Sequence, residues 1–389
     1  MHLGAAVVGT GFIAPVHVES LRRIDRPVIG ILGSSPPKSR AVAQKLHISK
    51  AYDRYEDLLA DPSVGVVHLA SPNRLHAEQC RLALAAGKHV ICEKPLGLTA
   101  AETAELVELA RQAPRVAAVC YNVRFYPLCL EARQRIADGE LGPIYHVTGS
   151  YVQDWLLHPV DFNWRVLAEE GGPLRAVADI GTHWMDLVAF VTGLEIDSVC
   201  ADLRTVLPVR YRAKHPVETF QGKSEQPSQI QPVAINTEDY GSVLLRFRGG
   251  AAGGVTVSQV TAGRKNRIHW EIAGARGAMA WDSERPNELW LGHRDKPNEV
   301  LLRDPALLHA GVRPFANYPG GHNEGFPDTF KQLFRAVYDA IDAGDGNAPR
   351  PFATFVDGHR EALLCEAILQ SHRLRRWMDV PSAAGPPTP

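Results

Sequence analysis

Three side chains in this sequence have the types and the spacing to handle a proton at a hydroxyl group. Lys94 stands between Glu93 and Pro95 directly after a short apolar run. Asp179 and His183 lie four residues apart ahead of the apolar stretch from Trp184 to Val191. Oxidation of an alcohol removes a hydroxyl proton alongside a hydride, and a positioned base with a pKa near working pH serves best; an unperturbed imidazole has nearly that value. Lys94 would either accept the proton as a free amine or polarise the oxygen as an ammonium. On a continuous helical turn Asp179 and His183 share a face, where Asp179 would orient the imidazole or bind a second hydroxyl. Each residue also has an ordinary reading. A lysine after a strand is commonly a solvated charge, an aspartate there a helix cap, and His183 a satisfied histidine under an apolar helix.

The opening of the chain supplies what a hydride would need. Ala5-Ala6-Val7-Val8 reads as a buried strand and runs into Gly9-Thr10-Gly11-Phe12-Ile13-Ala14, followed by a helical pattern through Val16, Val18, Leu21 and Ile24. Gly9 permits the tight turn, Gly11 lets a pyrophosphate approach the backbone, and Ala14 in place of a third glycine still allows close helix–strand packing. The phosphates would rest on free N–H groups at the positive end of the helix. After the second strand, Val28–Leu32, the usual acidic partner of an adenosine ribose is replaced by Gly33, Ser34 and Ser35, with Lys38 and Arg40 beyond. Small hydroxyls and cations suit a 2′-phosphate, which tilts the cofactor from NAD towards NADP. Lys38 and Arg40 read equally as the solvated face of a helix.

The elements that must position these groups alternate regularly. Strands are predicted at Val64–Ala70, Lys88–Cys92 and Val116–Cys120. They end in Ser71-Pro72-Asn73, in Glu93-Lys94-Pro95 and in Tyr121-Asn122, with Asn73 and Thr99 as helix N-caps. Buried strands alternating with helices predict a doubly wound parallel sheet over residues 1–121. Beyond it, a long strand over Ile144–Asp154 and strands at 198–207, 242–248, 254–260, 267–273 and 277–281 predict a mostly antiparallel sheet. Amphipathic helices follow near 330–343 and 358–377, which makes residues 122–381 an α+β unit. Residues 382–389 form a tail expected to be disordered, and the polar stretch 211–236 reads as an ordered arm or a mobile loop.

Composition narrows the classes. The chain has 389 residues, 45% hydrophobic and 22% charged, with a net charge of −1, which predicts no general attraction to nucleic acid or anionic membrane. No apolar run reaches the roughly 18–20 residues that span a bilayer, and no secretory signal precedes the first strand. Cys80, Cys92, Cys120, Cys129, Cys200 and Cys365 show neither zinc spacing nor a disulfide framework, so no metal and a reducing cytoplasm are expected.

Taken together, Gly9-x-Gly11-x-x-Ala14, Ser71-Pro72-Asn73-x-x-His76, Glu93-Lys94-Pro95, Asn122-x-Arg124-Phe125 and Asp179-x-Gly181-x-His183-x-x-Asp186, with Asp357-Gly358 opening a late helix, resemble in order and spacing the Gfo/Idh/MocA oxidoreductases. This is the family of glucose–fructose oxidoreductase and inositol dehydrogenase, and the resemblance runs over nearly the whole chain. It implies that Lys94, Asp179 and His183 surround the reacting carbinol and that Trp164-Arg165 lies near the nicotinamide. The cofactor contacts expected are Gly9, Gly11, Phe12, Ile13, Ser34, Ser35, Lys38, Ser71, Pro72, Asn73, His76, Glu93, Lys94, Asn122, Trp164 and Arg165. Glu93 could alternatively serve the loop backbone as a structural acceptor. For a sugar or cyclic polyol, Lys94, Arg124, Asp179, His183 and His322 are expected contacts. Gln153 and Asp154 would meet its hydroxyls, and Trp155 either its C–H face or the core. A homodimer or homotetramer formed through the second sheet is expected. Two rivals remain open at this stage: redox-neutral glycosidic cleavage through a transient keto-sugar, and a nucleotide-binding sensor without turnover.

Overall fold

A computed structural model describes residues 3–213, 230–344 and 350–383. Its first sheet begins with the fully buried β1 (Gly4–Val8), and α1 (Ile13–Arg23) packs beside it. The chain continues through β2 (Val28–Leu32), α2 (Pro36–Lys45), β3 (Lys50–Tyr52), α3 (Tyr55–Ala60), β4 (Val64–Leu69), α4 (His76–Ala85), β5 (His89–Cys92), α5 (Ala100–Gln112) and β6 (Ala117–Val119). These six strands are parallel in the order β3-β2-β1-β4-β5-β6. The order reverses between β1 and β4, so the crevice at their carboxyl ends is where such sheets take ligands. The sequence predicts five strands; the sixth, β3, has only three residues, too few to show a period. Thr99 and Glu102 close a capping box on α5 as expected. Asn73 does not cap α4: it starts a short 3₁₀ turn, and its amide instead reaches the Gly171 carbonyl at 3.4 Å.

Past α6 (Pro127–Ala137) the second sheet opens with β7 (Ile144–Val152). After α7 (Ala168–Gly171) and α8 (Thr182–Thr192) come β8 (Ile196–Arg204), β9 (Val209–Ala213), β10 (Ile230–Ala234), β11 (Tyr240–Phe247), β12 (Ala252–Ser258), β13 (Arg267–Gly274), β14 (Ala278–Asp282), β15 (Glu288–Gly292) and β16 (Glu299–Leu302). The chain ends in α9 (Phe326–Ala343), β17 (Ala353–Thr354), α10 (Phe355–Leu374) and β18 (Met378–Asp379). Nine strands line up as β16-β15-β14-β13-β7-β12-β11-β8-β18, antiparallel except for the β7–β12 pair. Residues alternate along β11 and β13: Val243, Leu245, Ile268, Trp270 and Ile272 are buried. Gly149 on β7 leaves room for the Trp184 indole, which a Cβ would meet at 2.5 Å, and the indole donates to the His269 carbonyl. The strands β15 and β16 were not anticipated. The ribbon β9–β10 flanks residues 214–229, so most of the predicted arm or loop lies outside the described residues, as do 384–389 of the tail.

The end of the chain returns to the first sheet. β17 adds an antiparallel edge to β6, α9 packs on α1, and α10 packs on α5, where Glu366 accepts from the first amide of that helix. Among the described residues no helix is long and apolar enough to cross a membrane.

Candidate active site

At the end of β1 the sequence builds an anion cradle. Gly9 has φ +121°, and a Cβ there would meet the Ala70 carbonyl oxygen at 2.2 Å; glycine lets the β1 turn lie against the end of β4. Above Gly11 the space is open: a Cβ would meet nothing within 4 Å. Helix α1 starts at Ile13 with neither a capping side chain nor an acid in its first turn; Ala14 N–H turns back to the Gly11 carbonyl at 3.2 Å and Pro15 has none, while the positive end of the helix dipole faces the turn. These features fit a dinucleotide pyrophosphate. Phe12 is exposed and Ile13 half-buried beside the cradle. At the end of β2, Ser34 and Lys38 are exposed and Ser35 half-buried. Arg40 is paired with Asp53 at 3.0 Å.

The next corner holds Ser71, Pro72, Asn73 and His76. His76 is fully buried, with Nε2 2.9 Å from the Ser71 carbonyl and Nδ1 2.7 Å from that of Pro95. Burial lowers its pKa. Its ring braces two strand-end loops against each other, so neither nitrogen is left for a cofactor. Asn122 is likewise buried, and its amide donates to Thr329 on α9 at 2.7 Å.

Lys94 and the Asp179–His183 segment meet across the crevice. The Lys94 ammonium donates to the Asp179 backbone carbonyl at 2.8 Å and to Oδ1 at 2.9 Å. Arg165 Nε stands 3.6 Å from the same oxygen, and Gln259 donates to Oδ2 at 2.9 Å. Asp179 lies on a π-type turn, Val177–Gly181, that runs into α8. The start of this turn is held by the Glu238 carboxylate, which accepts from the Arg175 and Val177 amides. Arg175 bonds Asp239 and also reaches the Gln259 carbonyl oxygen, so a buried network fixes the floor beneath Asp179. Burial raises the pKa of Asp179, but the charges of Lys94 and Arg165 outweigh it and hold the carboxyl below the usual carboxylate range.

His183 sits beside this pair, with the Tyr121 ring edge-on at 5.5 Å and the Tyr151 ring at 6.1 Å. Burial first, and the Lys94 charge second, pull its pKa down to about 3. This corrects the expectation of a titrating base near neutral pH: the imidazole is neutral there. Its Nδ1 is buried without a hydrogen-bond partner. Arg165, which reaches Asp179, has its guanidinium stacked 4.4 Å from the Trp164 ring.

Several predicted contacts are engaged elsewhere. Arg124 is a strut: its buried guanidinium grips Asp186 and Asp357, joining α8 to α10. Gln153 donates to Asn266 and keeps a buried carbonyl oxygen without a partner. Asp154 accepts from Lys265 at 2.6 Å, and the Trp155 indole donates to the Lys265 carbonyl at 3.0 Å. His322 is exposed in a turn, its Nδ1 3.4 Å from the Gly320 carbonyl. Sequence reasoning missed Gln259, Tyr121 and Tyr151. Tyr121 directly follows a predicted strand, and strand-end position was the available signal for it; Gln259 and Tyr151 lie inside predicted strands, although the observed β12 ends at Ser258 and leaves Gln259 just past it.

Comparison with known proteins bears on the fold and the family. Residues 3–121 match the model of the oxidoreductase family with an NAD-binding Rossmann fold, and residues 129–280 match the GFO/IDH/MocA C-terminal domain. A levoglucosan dehydrogenase of Pseudarthrobacter phenanthrenivorans is 28% identical, over 98% of this chain and 98% of that protein. A myo-inositol 2-dehydrogenase of Thermotoga maritima is 28% identical over 72% of this chain and 75% of its own length. Among solved structures, levoglucosan dehydrogenase with NADH and L-sorbose superimposes with a TM-score of 0.87 at 27% identity, covering 98% of this chain and 100% of the other. An inositol dehydrogenase homolog with NAD+ from Azotobacter vinelandii gives 0.84 at 28% identity over 97% of each chain. Two matched family models in sequence, and structural likeness from end to end, place the chain in the GFO/IDH/MocA oxidoreductase family, with an NAD-binding Rossmann fold at its N-terminus.

Proposed function

We propose that the protein is a nicotinamide-nucleotide-dependent dehydrogenase or reductase acting at a secondary hydroxyl or keto carbon of a sugar, sugar derivative or cyclic polyol. The observation that carries this reading is the Lys94–Asp179 pair beside the neutral His183, set at the strand ends that also carry the glycine turn. The nucleotide, when bound, supplies or takes the hydride. In the reducing direction the Lys94 ammonium donates a proton to the oxygen as the alcohol forms; oxidation reverses that transfer. Asp179 holds the ammonium in place and stabilises its charge. His183 carries no charge of its own and offers its imidazole to a hydroxyl of the ring. Support for a carbohydrate or polyol comes from relatives named for levoglucosan and myo-inositol.

On the adenosine side, the end of β2 presents Ser34, Ser35 and the exposed Lys38 and no carboxylate. We infer that NADP binds at least as well as NAD; a titration with NAD tenfold tighter, about 1.4 kcal/mol, would overturn this. A homo-oligomer through the second sheet is supported by Leu244, Val300 and Leu302, which are exposed on it. The function itself is tested by screening sugars, glycosides and polyols with both nucleotides while following absorbance and products together. Nucleotide reduction that Lys94→Ala and His183→Ala each slow by roughly 10²–10⁴-fold is expected. Parental rates in both variants would refute the assignment.

A further inference from the structure

Behind the strand that carries Lys94 runs a chain of buried polar groups that the chemistry above does not use. Glu93 Oε1 stands 3.0 Å from His17 Nε2 on α1; His17 Nδ1 stands 3.2 Å from His68 Nδ1 on β4; and His68 Nε2 stands 3.1 Å from the Tyr338 hydroxyl on α9. His17 and His68 are fully buried, Tyr338 nearly so, and Phe330 and Phe334 wall the rings in. At the inner end, Glu93 adjoins Lys94, whose amide lies 3.4 Å from its Oε2, and feels the charge of Lys94. At the outer end, Tyr338 lines a surface cavity of about 380 Å³ with Arg22, Arg26, Arg335 and Asp339. Arg26 lies over the Tyr338 ring and pairs with Asp342.

We propose that Glu93, His17, His68 and Tyr338 form a proton relay between the Lys94 end of the crevice and that surface cavity. The proposal rests on the reading of the Lys94 site as one that moves a proton. Packing alone does not require this chain: a buried ionic string is often matched or bettered by apolar side chains of the same volume, and aromatic rings already surround it. Each link instead offers one atom inward and one outward. With Glu93 protonated toward His17, transfer moves the carboxyl hydrogen to His17 Nε2, the hydrogen on His17 Nδ1 to His68 Nδ1, that on His68 Nε2 to the Tyr338 oxygen, and the Tyr338 hydrogen to solvent. One proton leaves the Glu93 end, one appears outside and no electron moves; His17 and His68 are each left as the other tautomer, and both rings must turn over before a second proton follows in the same direction. The reverse sequence delivers a proton for reduction. Such a route matters once nucleotide and substrate fill the crevice, because Lys94 and His183 are then shut off from bulk water. Cys120 also lies against Glu93 and His17. Its thiol pKa is raised by burial, and the 3.0 Å spacing of Glu93 and His17 is that of a hydrogen bond.

The test is Tyr338→Phe in the full chain, assayed with the best substrate from the screen. The variant keeps the ring and removes only the outermost link. Expected are an unchanged KM and nucleotide affinity, hydride transfer in the first turnover at the parental rate, a steady-state kcat at least ~10-fold lower, and a larger solvent deuterium isotope effect on kcat. His68→Ala should show the same loss, with added imidazole restoring kcat in a saturable way. Overturning results are a Tyr338→Phe enzyme with the parental kcat and isotope effect, or a kcat loss that tracks lowered thermal stability, leaves the isotope effect unmoved and resists imidazole. An active parent with an unaffected Tyr338→Phe sinks the relay alone; a parent inactive on every sugar and polyol sinks the functional reading and the relay with it.

Discussion

Replacing Asp179 by Asn keeps the shape of the side chain and removes the charge on which the site converges. In the parent, Oδ1 faces Lys94 Nζ at 2.9 Å and Arg165 Nε at 3.6 Å, while Oδ2 accepts from Gln259. At an effective dielectric near 20, unit charges ~4 Å apart attract by roughly 4 kcal/mol. Desolvation offsets much of that, and the Lys94 and Arg165 side chains retain 14% and 25% of their exposure. A net loss of roughly 2–3 kcal/mol follows, below the 3–5 typical of breaking a fully buried pair. The amide cannot recover the geometry. If its oxygen faces Lys94, its NH₂ points at the NH₂ of Gln259; turning Gln259 over then removes the acceptor that Arg175 uses. The expected outcome is a melting temperature lower by roughly 2–4 °C and a kcat lower by roughly 10²-fold or more, with nucleotide affinity unchanged. Asp179→Asn combined with Gln259→Glu should regain part of the stability, because a carboxylate returns to the site, without regaining turnover, because it faces the wrong side of Lys94. The assays are thermal unfolding, nucleotide titration and steady-state rates. A single variant that melts within 1 °C of the parent and turns over at its rate would refute the idea that this ion pair holds Lys94.

Two further outcomes are expected. Gly11→Val should fold and melt like the parent yet lose nucleotide binding, since its side chain enters open space, whereas Gly9→Val should melt several degrees lower because its Cβ meets the Ala70 carbonyl at a positive φ; calorimetric titration and melting separate the two, and tight nucleotide binding by Gly11→Val would contradict the cradle. Glu361 is buried with both carboxylate oxygens lacking a hydrogen-bond partner, and burial raises its pKa well above the usual value. A raised folded-state pKa gives stability that is complete below the unfolded value of roughly 4.3 and lost as pH rises, so Glu361→Gln should gain on the parent between pH 5 and pH 8 in urea unfolding; a pH-independent difference would sink this.

The parts legible in the sequence were those encoded by neighbours along the chain. The glycine turn, the strand-end position of Lys94 and the four-residue interval between Asp179 and His183 are local patterns, and the structure brings all of them to one crevice. What the sequence hid depends on partners far away in it. Gln259 reaches Asp179 across 80 positions. Arg124 looked available because nothing nearby announces Asp186 and Asp357 as its acceptors. The imidazole of His183 reads as a neutral-pH base until burial and the Lys94 charge are known. His17 and His68 disappear into apolar runs, where a polar residue looks like an interruption rather than a link.

The return of the chain end to the first sheet changes how the molecule can be taken apart. A cut at residue 121 looks natural in the sequence, yet it would bare the β6 edge that β17 covers and strip α9 from α1 and α10 from α5. An unpaired edge strand beside uncovered apolar helix faces invites association. A chimera that grafts a relative's substrate sheet onto this nucleotide-binding half would therefore need to exchange only residues 122–325, keeping the native α9, β17 and α10. Helix α10 packs on α5 and on β8 alike, so this segment ties the two sheets together rather than belonging to either.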